Sequence, residues 1–342
     1  MTTARTELNE LGEFALIEQL TREMAIYHDK TLLGVGDDAA ILDSNDECTL
    51  VSTDLLIEGI HFDLMYHPLK HLGYKAVIVN ISDILAMNAH PKQITISIGV
   101  SNRFSVEALE ELYGGIKLAC DNYQVDLVGG DTTASPKGLV ISVTAIGTQK
   151  KEKIVKRSGA KPGDYIFVSG DLGSAYLGLQ LLEREKKMYI EHPDLQPQLS
   201  ENKTIIERIL KPEARKDIIK MLDAAHVIPT AMIDISDGLS SDLIHICKQS
   251  GTGAVIEEEN VPIHPEAQLM ALEFHLDPIT CALSGGEDYE LLFTIDPVDF
   301  EKIRYLPSFY YIGEILSPDQ GIKLKSSHGK LHEITAQGWK HF

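Results

Sequence analysis

Apolar positions along this chain follow two periods, and the polar breaks between them are rich in aspartate. Leu11 to Tyr27 carries Phe14, Leu16, Ile17 and Leu20 at helical spacing. Cys48 to Ser52 reads as a strand ending in Thr53-Asp54. Gly73 to Ala89 reads as an apolar helix in which Asn80 and Asp83, three apart, share a face. Such a polar pair, if buried, needs partners or a ligand. Ile94, Ile96, Ile98 and Val100 alternate with Thr95, Ser97 and Gly99, the pattern of a half-buried strand. A helix over Val106–Asn122, a strand over Val125–Val128 delivering Gly129-Gly130-Asp131, and an alternating strand over Gly138–Gly147 follow.

The polar stretch Gln149-Lys150-Lys151-Glu152-Lys153 marks a domain boundary near residue 150. A strand at Tyr165–Ser169 then turns through Gly170–Ser174 into a helix. Residues 184–204, polar and holding Pro193 and Pro197, read as an exposed loop. Ala214–Ala225 is helical, and a strand over Ala231–Ile235 leads to a helix ending near Gln249 that Ser236 or Asp237 would cap. Further strands are expected at Ala254–Glu257, Tyr289–Ile295 and Tyr310–Ile315. The pattern predicts two mixed α/β domains, 1–150 and 151–342.

Composition narrows the function. The 342 residues are 44% hydrophobic and 24% charged, with 51 acids against 31 Lys and Arg, a formal net charge of −20. That excess argues against nucleic acid or anionic membrane as partner, and it means that a phosphate-bearing ligand needs screening by cations. Cys48, Cys120, Cys247 and Cys281 lie far apart and read as small apolar residues in a reducing compartment. The N-terminus lacks a signal-peptide layout and no stretch is apolar enough to span a bilayer, so a cytoplasmic protein is expected.

The chemistry lies in five acidic motifs spread from Gly34 to Gly238: Gly34-Val35-Gly36-Asp37-Asp38-Ala39, Ser52-Thr53-Asp54, Asn80-Ile81-Ser82-Asp83, Gly129-Gly130-Asp131-Thr132 and Asp234-Ile235-Ser236-Asp237-Gly238. Hard oxygen ligands suit Mg²⁺, which in turn suits phosphates. Only folding brings such dispersed acids together, so they point to one composite site. Ser-Thr-Asp alone is more often a turn or cap. The adjacent acids of Gly-Val-Gly-Asp-Asp repel unless a cation neutralises them, although a solvated turn explains that motif about as well. Helix capping accounts for one acid of the fifth motif and leaves Asp234 in an apolar strand unexplained. In Gly285-Gly286-Glu287-Asp288, the glycines give Glu287 room beside a ligand. Arg157 is a candidate phosphate cation, though a lone arginine is usually a surface residue. No G-x-x-x-x-G-K-[ST] loop and no protein-kinase motif set is present, which excludes P-loop and protein-kinase chemistry.

Taken in order, GEFALI (12–17), GVGDDAA (34–40), STDLLIEGIHF (52–62), YKAVIVNISDILAM (74–87), LVGGDTT (127–133), RSGAKPGD (157–164), IDISDGLSSDL (233–243), SGGEDYELLFT (284–294) and GWKHF (338–342) resemble the thiamine-monophosphate kinase family. That family belongs to the aminoimidazole-ribotide synthetase-like superfamily, and the resemblance covers nearly the whole chain. It implies a homodimer of two-domain subunits. Residues 1–150 would form a mixed-sheet ATP/Mg-binding and dimerisation domain, and 151–342 an α/β domain completing the site. The implied reaction is ATP with thiamine monophosphate giving ADP and thiamine diphosphate. The resemblance further implies that Asp38, Ser52, Thr53, Asp54, Asp83, Asp131, Asp234 and Asp237 hold Mg²⁺, with Asp54, Asp131 and Asp237 central to catalysis. Tyr113, Gly130, Asp131, Arg157 and Ser236 would contact ATP, and His61, Glu287 and Trp339 the substrate. An aminoimidazole-ribotide or selenophosphate synthetase activity, and a non-catalytic Mg-nucleotide-binding regulator, remain as other readings. The lack of a catalytic Cys near the N-terminus weakens the selenophosphate version.

Overall fold

The alternating run ahead of residue 150 becomes an eleven-residue strand, Leu139–Gln149, in which every second residue is buried. The computed structural model describes residues 13–22 and 25–335. Within them β1 (Thr31–Leu33), β2 (Ala40–Asp43), β3 (Cys48–Ile57), β4 (His90–Val100), β5 (Asp126–Ala134) and β6 (Leu139–Gln149) form one sheet in the order β1-β2-β3-β6-β4-β5. A second sheet holds β7 (Tyr165–Val168), β8 (Ala231–Asp234), β9 (Gly253–Glu257), β10 (Leu291–Ile295), β11 (Tyr310–Leu316), β12 (Ile322–Lys325) and β13 (Leu331–Glu333), ordered β13-β12-β9-β11-β7-β10-β8. Pairing is antiparallel apart from β4 with β5 and β9 with β12. The architecture is the mixed α/β, two-sheet arrangement expected.

The helices that position the site are α1 (Glu13–Thr21), α2 (Leu69–Ala86), α3 (Val106–Tyr123), α4 (Ser174–Glu191), α5 (Lys203–Leu210), α6 (Lys216–Ala224) and α7 (Leu239–Ser250). α2 is apolar on nearly all sides and is buried from Leu72 onward, as such a sequence requires. Tyr74, Ile78, Ile81 and Leu85 of this helix share one core with Val143 and Ala145 of β6. The same core takes in Phe167, Met232, Leu291 and Phe293 from the second sheet. Asn80, wholly buried, is satisfied: its Nδ2 donates to Ala76 O at 3.0 Å and its Oδ1 accepts the Asp54 N–H at 2.9 Å. The four cysteines are unpaired, and no helix among the described residues is long and apolar enough to cross a membrane.

Four local expectations need correction. Asp54 does not end a strand, because β3 continues to Ile57 in unbroken register with β6. The strand expected to end at Val128 does not deliver Gly129-Gly130-Asp131 but contains them, as part of the exposed edge strand β5 paired to β4. Gly130 serves close approach, since a Cβ there would lie 1.8 Å from Ile96 O. The loop expected at 184–204 is shorter, because α4 runs to Glu191 and α5 starts at Lys203. The residue capping α7 is Gly238, without a side-chain cap, so neither Ser236 nor Asp237 takes that position.

α2 and α3 cross through reciprocal glycines. A Cβ on Gly73 would sit 1.9 Å from Leu112 O, and one on Gly115 1.8 Å from Lys70 O, both rigid backbone. Gly115→Ala is therefore expected to push the helices apart and lower the unfolding free energy by about 1–3 kcal/mol in urea titrations. An unchanged midpoint would show that the crossing relaxes freely.

Candidate active site

Three elements from distant parts of the sequence converge on one point. Asp38 enters from the turn before β2, Asp83 from α2, and Asp234 from the last residue of β8. One carboxylate oxygen from each lies within 4.8 Å of the others. Strand alternation explains what β3 contributes: Ser52 and Asp54 share a face and Thr53 takes the other. The Ser52 hydroxyl donates to Asp83, whereas the Thr53 hydroxyl donates to Val143 O at 2.9 Å. Ser82, next to Asp83, donates to Asp234 Oδ2 at 2.6 Å. Arg157 faces the group, with Nη2 donating to Asp38 Oδ1 at 2.6 Å and its backbone N–H to Asp37 Oδ1 at 3.2 Å.

Burial and mutual repulsion hold these acids well above the usual carboxylate range. Asp234 is pushed up to about 7, first by burial and then by Asp38, against the pull of the Ser82 hydroxyl and Arg157. Burial drives Asp83 far up, with Asp54, Asp234 and Asp38 adding to it. Asp38 is raised by burial despite Arg157, and Asp37 reaches about 6 through burial and Asp38. Asp38 Oδ2 is buried with no hydrogen-bond partner among the described residues. An oxygen-only donor set, an orphaned carboxylate oxygen and like charges in one place fit a hard divalent cation such as Mg²⁺.

The other expected residues are spread from the edge of this cluster to the exposed strand β5. Asp54 lies close enough to Asp83 and Asp234 to raise both. Glu287 is tied to this region by its N–H, which donates to Ser236 O at 2.7 Å. Glu287 and Tyr289 both have left-handed backbone (φ 57° and 51°), a strain of roughly 1–2 kcal/mol each that tends to collect at functional sites. His61 Nδ1 accepts the Ile57 N–H at 3.0 Å at the end of β3. Asp131 is exposed on β5 and is not one of the three clustered carboxylates; with Tyr113 and Gly130 it lines a cleft of about 490 Å³. Trp339 lies outside the described residues.

Sequence reasoning passed over Lys75, Asp242 and Tyr289. Asp242 on α7 is buried, its Oδ2 has no partner among the described residues, and burial followed by Asp237 and Asp234 drives it far up. Its signal was an acid at i+3 from Leu239, on the apolar face of α7. Lys75 had a similar one, a lone charge inside Tyr74–Ile78.

These shifts fix a pH dependence. Folded Asp234 keeps its proton up to about pH 7, whereas an unfolded aspartate loses it near 3.8. The folded state therefore binds more protons across that window, and its stability falls as pH rises from about 4 to about 7. In chelator, Asp234→Asn should melt above the parent at pH 8 and lose that advantage near pH 4. Parallel melting curves at both pH values would refute this assignment.

Comparison with known proteins places the chain in a family. Residues 36–149 match the family model "AIR synthase related protein, N-terminal domain", and 161–318 its C-terminal counterpart. Thiamine-monophosphate kinase of Aquifex aeolicus is 37% identical over 335 residues, 98% of this chain and 99% of the relative. That of Bacillus subtilis is 34% identical over 295 residues, 86% of each. A solved structure described as "AaThiL complexed with AMPPCP and TMP" superposes with a TM-score of 0.85 at 33% identity, covering 99% of this chain and 100% of that one. A hydrogenase maturation protein HypE in complex with ATP, at 20% identity and TM-score 0.68, shares the fold alone. Identity of this level over nearly the whole length of both chains shows that the chain belongs to the thiamine-monophosphate kinase family and is a kinase, not a non-catalytic binder.

Proposed function

We propose that this enzyme transfers the γ-phosphoryl group of ATP directly, in line, to the phosphate of thiamine monophosphate, forming thiamine diphosphate and ADP with Mg²⁺. The observation that carries the reading is the convergence of Asp38, Asp83 and Asp234. It stands in a chain that matches, end to end, a neighbour described with AMPPCP, an ATP analogue, and TMP. The acceptor is a phosphate monoester whose second pKa is about 6, so it is mostly dianionic at neutral pH. One of its oxygens attacks Pγ, the bond from Pγ to the β-bridging oxygen breaks, and ADP leaves. No general base is needed.

Two polyanions then have to meet inside an acidic protein. Asp38, Asp83 and Asp234, with Asp54 and the Ser52 hydroxyl beside them, would hold Mg²⁺; Asp131 and Asp237 complete the proposed ligand set, to which Thr53, its hydroxyl turned to Val143 O, would bring only a backbone oxygen. When bound, the cations supply charge neutralisation and orientation of the phosphate oxygens. Arg157 brings a fixed positive charge to the same acids. Tyr113, Gly130 and Asp131 in the β5 cleft, together with Ser236, serve the nucleotide. His61, Glu287 and Trp339 serve the thiamine-bearing end.

Residues 1–150 act in this reading as the ATP/Mg-binding and dimerisation domain, and 151–342 as the domain that completes the site. A homodimer is supported by β5: all nine of its residues are exposed, including Leu127 and Val128, an open sheet edge of the kind proteins usually cover. Val128→Lys should shift the protein from dimer to monomer in light scattering; a monomeric parent would remove this part of the reading.

Incubation with Mg·ATP and thiamine monophosphate, followed by chromatography, should show thiamine diphosphate, and its absence would overturn the proposal. Asp54→Asn is expected to lower turnover by about 10²–10³-fold, the usual cost of losing one electrostatic contact at the reacting centre. Near-normal turnover of that variant at limiting Mg²⁺ would count against the acids as cation holders.

A further inference from the structure

Lys75 is a charged residue where the sequence calls for an apolar one. It lies on α2 between Tyr74 and Ala76, and its side chain is only 2% exposed. A buried ammonium persists only where partners replace its water. Two do so here: Nζ donates to Glu287 Oε2 at 2.5 Å and to Ile209 O at 3.3 Å. Residues 75, 79 and 83 recur at i+4, so Lys75 occupies the same face of α2 as Asp83, about 12 Å earlier along the axis. One rigid helix thus carries both an acid of the cation cluster and the anchor of Glu287.

Glu287 is held at both ends. Its backbone is fixed by the bond to Ser236 O and by its left-handed φ, and one side-chain oxygen is fixed by Lys75. Its Oε1 takes no hydrogen bond from any described residue, and the side chain is one-third exposed, in contrast to its partner. A simple stabilising pair would be served as well by two buried groups. This one leaves a single carboxylate oxygen open in a fixed direction.

We propose that Lys75 is a positioning residue for substrate recognition: it locks Glu287 so that Oε1 is offered to the cationic, amine-bearing ring system of thiamine monophosphate. The inference rests on the reading of Glu287 as a substrate contact. Charge and direction together favour a ligand group that is positive or donates hydrogen bonds, and disfavour a phosphate.

The test compares Lys75→Met, Lys75→Arg, Glu287→Gln and the Lys75→Met/Glu287→Gln double variant in steady-state kinetics and thermal melting. Lys75→Met should raise KM for thiamine monophosphate about tenfold or more while KM for ATP stays within about twofold. The double variant should be no worse than Glu287→Gln, because the two residues act as one unit. An unchanged KM for thiamine monophosphate in folded Lys75→Met, an equal rise in both KM values, or multiplicative losses in the double variant would each overturn the proposal. If Lys75→Met does not fold, Lys75→Arg carries the test: it keeps the charge, alters the geometry, and should raise only the thiamine monophosphate KM. If the parent forms no thiamine diphosphate, the kinase reading fails by itself. Calorimetric titration of thiamine monophosphate into parent and Lys75→Arg then decides on Lys75, with weaker binding to the variant expected and equal binding refuting it.

Discussion

Repulsion among buried carboxylates is the constraint around which the molecule is arranged. Two ionised groups 4.8 Å apart repel by about 3–4 kcal/mol at an effective dielectric of about 20, and Asp38, Asp83 and Asp234 form three such pairs. The protein meets this locally with the Arg157 guanidinium and the hydroxyls of Ser52 and Ser82. The remainder is left as raised proton affinity, a strain that the proposed divalent cation would relieve. On that reading, instability without the cation and affinity for it would have the same origin.

Holding the acids in place requires something stiff, and α2 supplies it. The helix is buried against both sheets, and the reciprocal glycines let α3 approach it closely. Along one face it presents Lys75 and Asp83. From neighbouring positions Asn80 fixes the β3 backbone at Asp54 and Ser82 fixes Asp234. In the proposed reading, recognition at one end and cation holding at the other would therefore be set by the same rigid helix.

Most of the site was legible because its residues sit in short local motifs whose chemistry does not depend on the fold. Asp234 could be picked out as an acid without a local explanation, and Asn80 with Asp83 as a polar pair needing partners, whereas a solvated turn explained Asp38 about as well. What could not be read was direction. Gly129 and Gly130 look like the end of a strand, whereas β5 runs on through both, and Gly130 is needed where it passes Ile96 O. The run Arg184-Glu185-Lys186-Lys187 looks like a loop because the buried residues of α4 end at Leu182, so its last turns carry no apolar face to read. Lys75 went unread because sequence gives no sign that Glu287, more than two hundred positions away, would meet it. Asp131 kept its motif, but the fold sends it to an exposed edge instead of to the three-acid cluster.

The core that joins Ile78 and Leu85 of α2 to Phe167 and Phe293 of the second sheet has a consequence for how this chain loses its structure. Two sheets invite the picture of two modules that melt one after the other. Yet pulling the second sheet away would expose the buried flank of α2, and with it the apolar support of the first sheet. Cooperativity here follows the core and not the sheet count: the chain should unfold as a single unit, and neither half should persist long without the other.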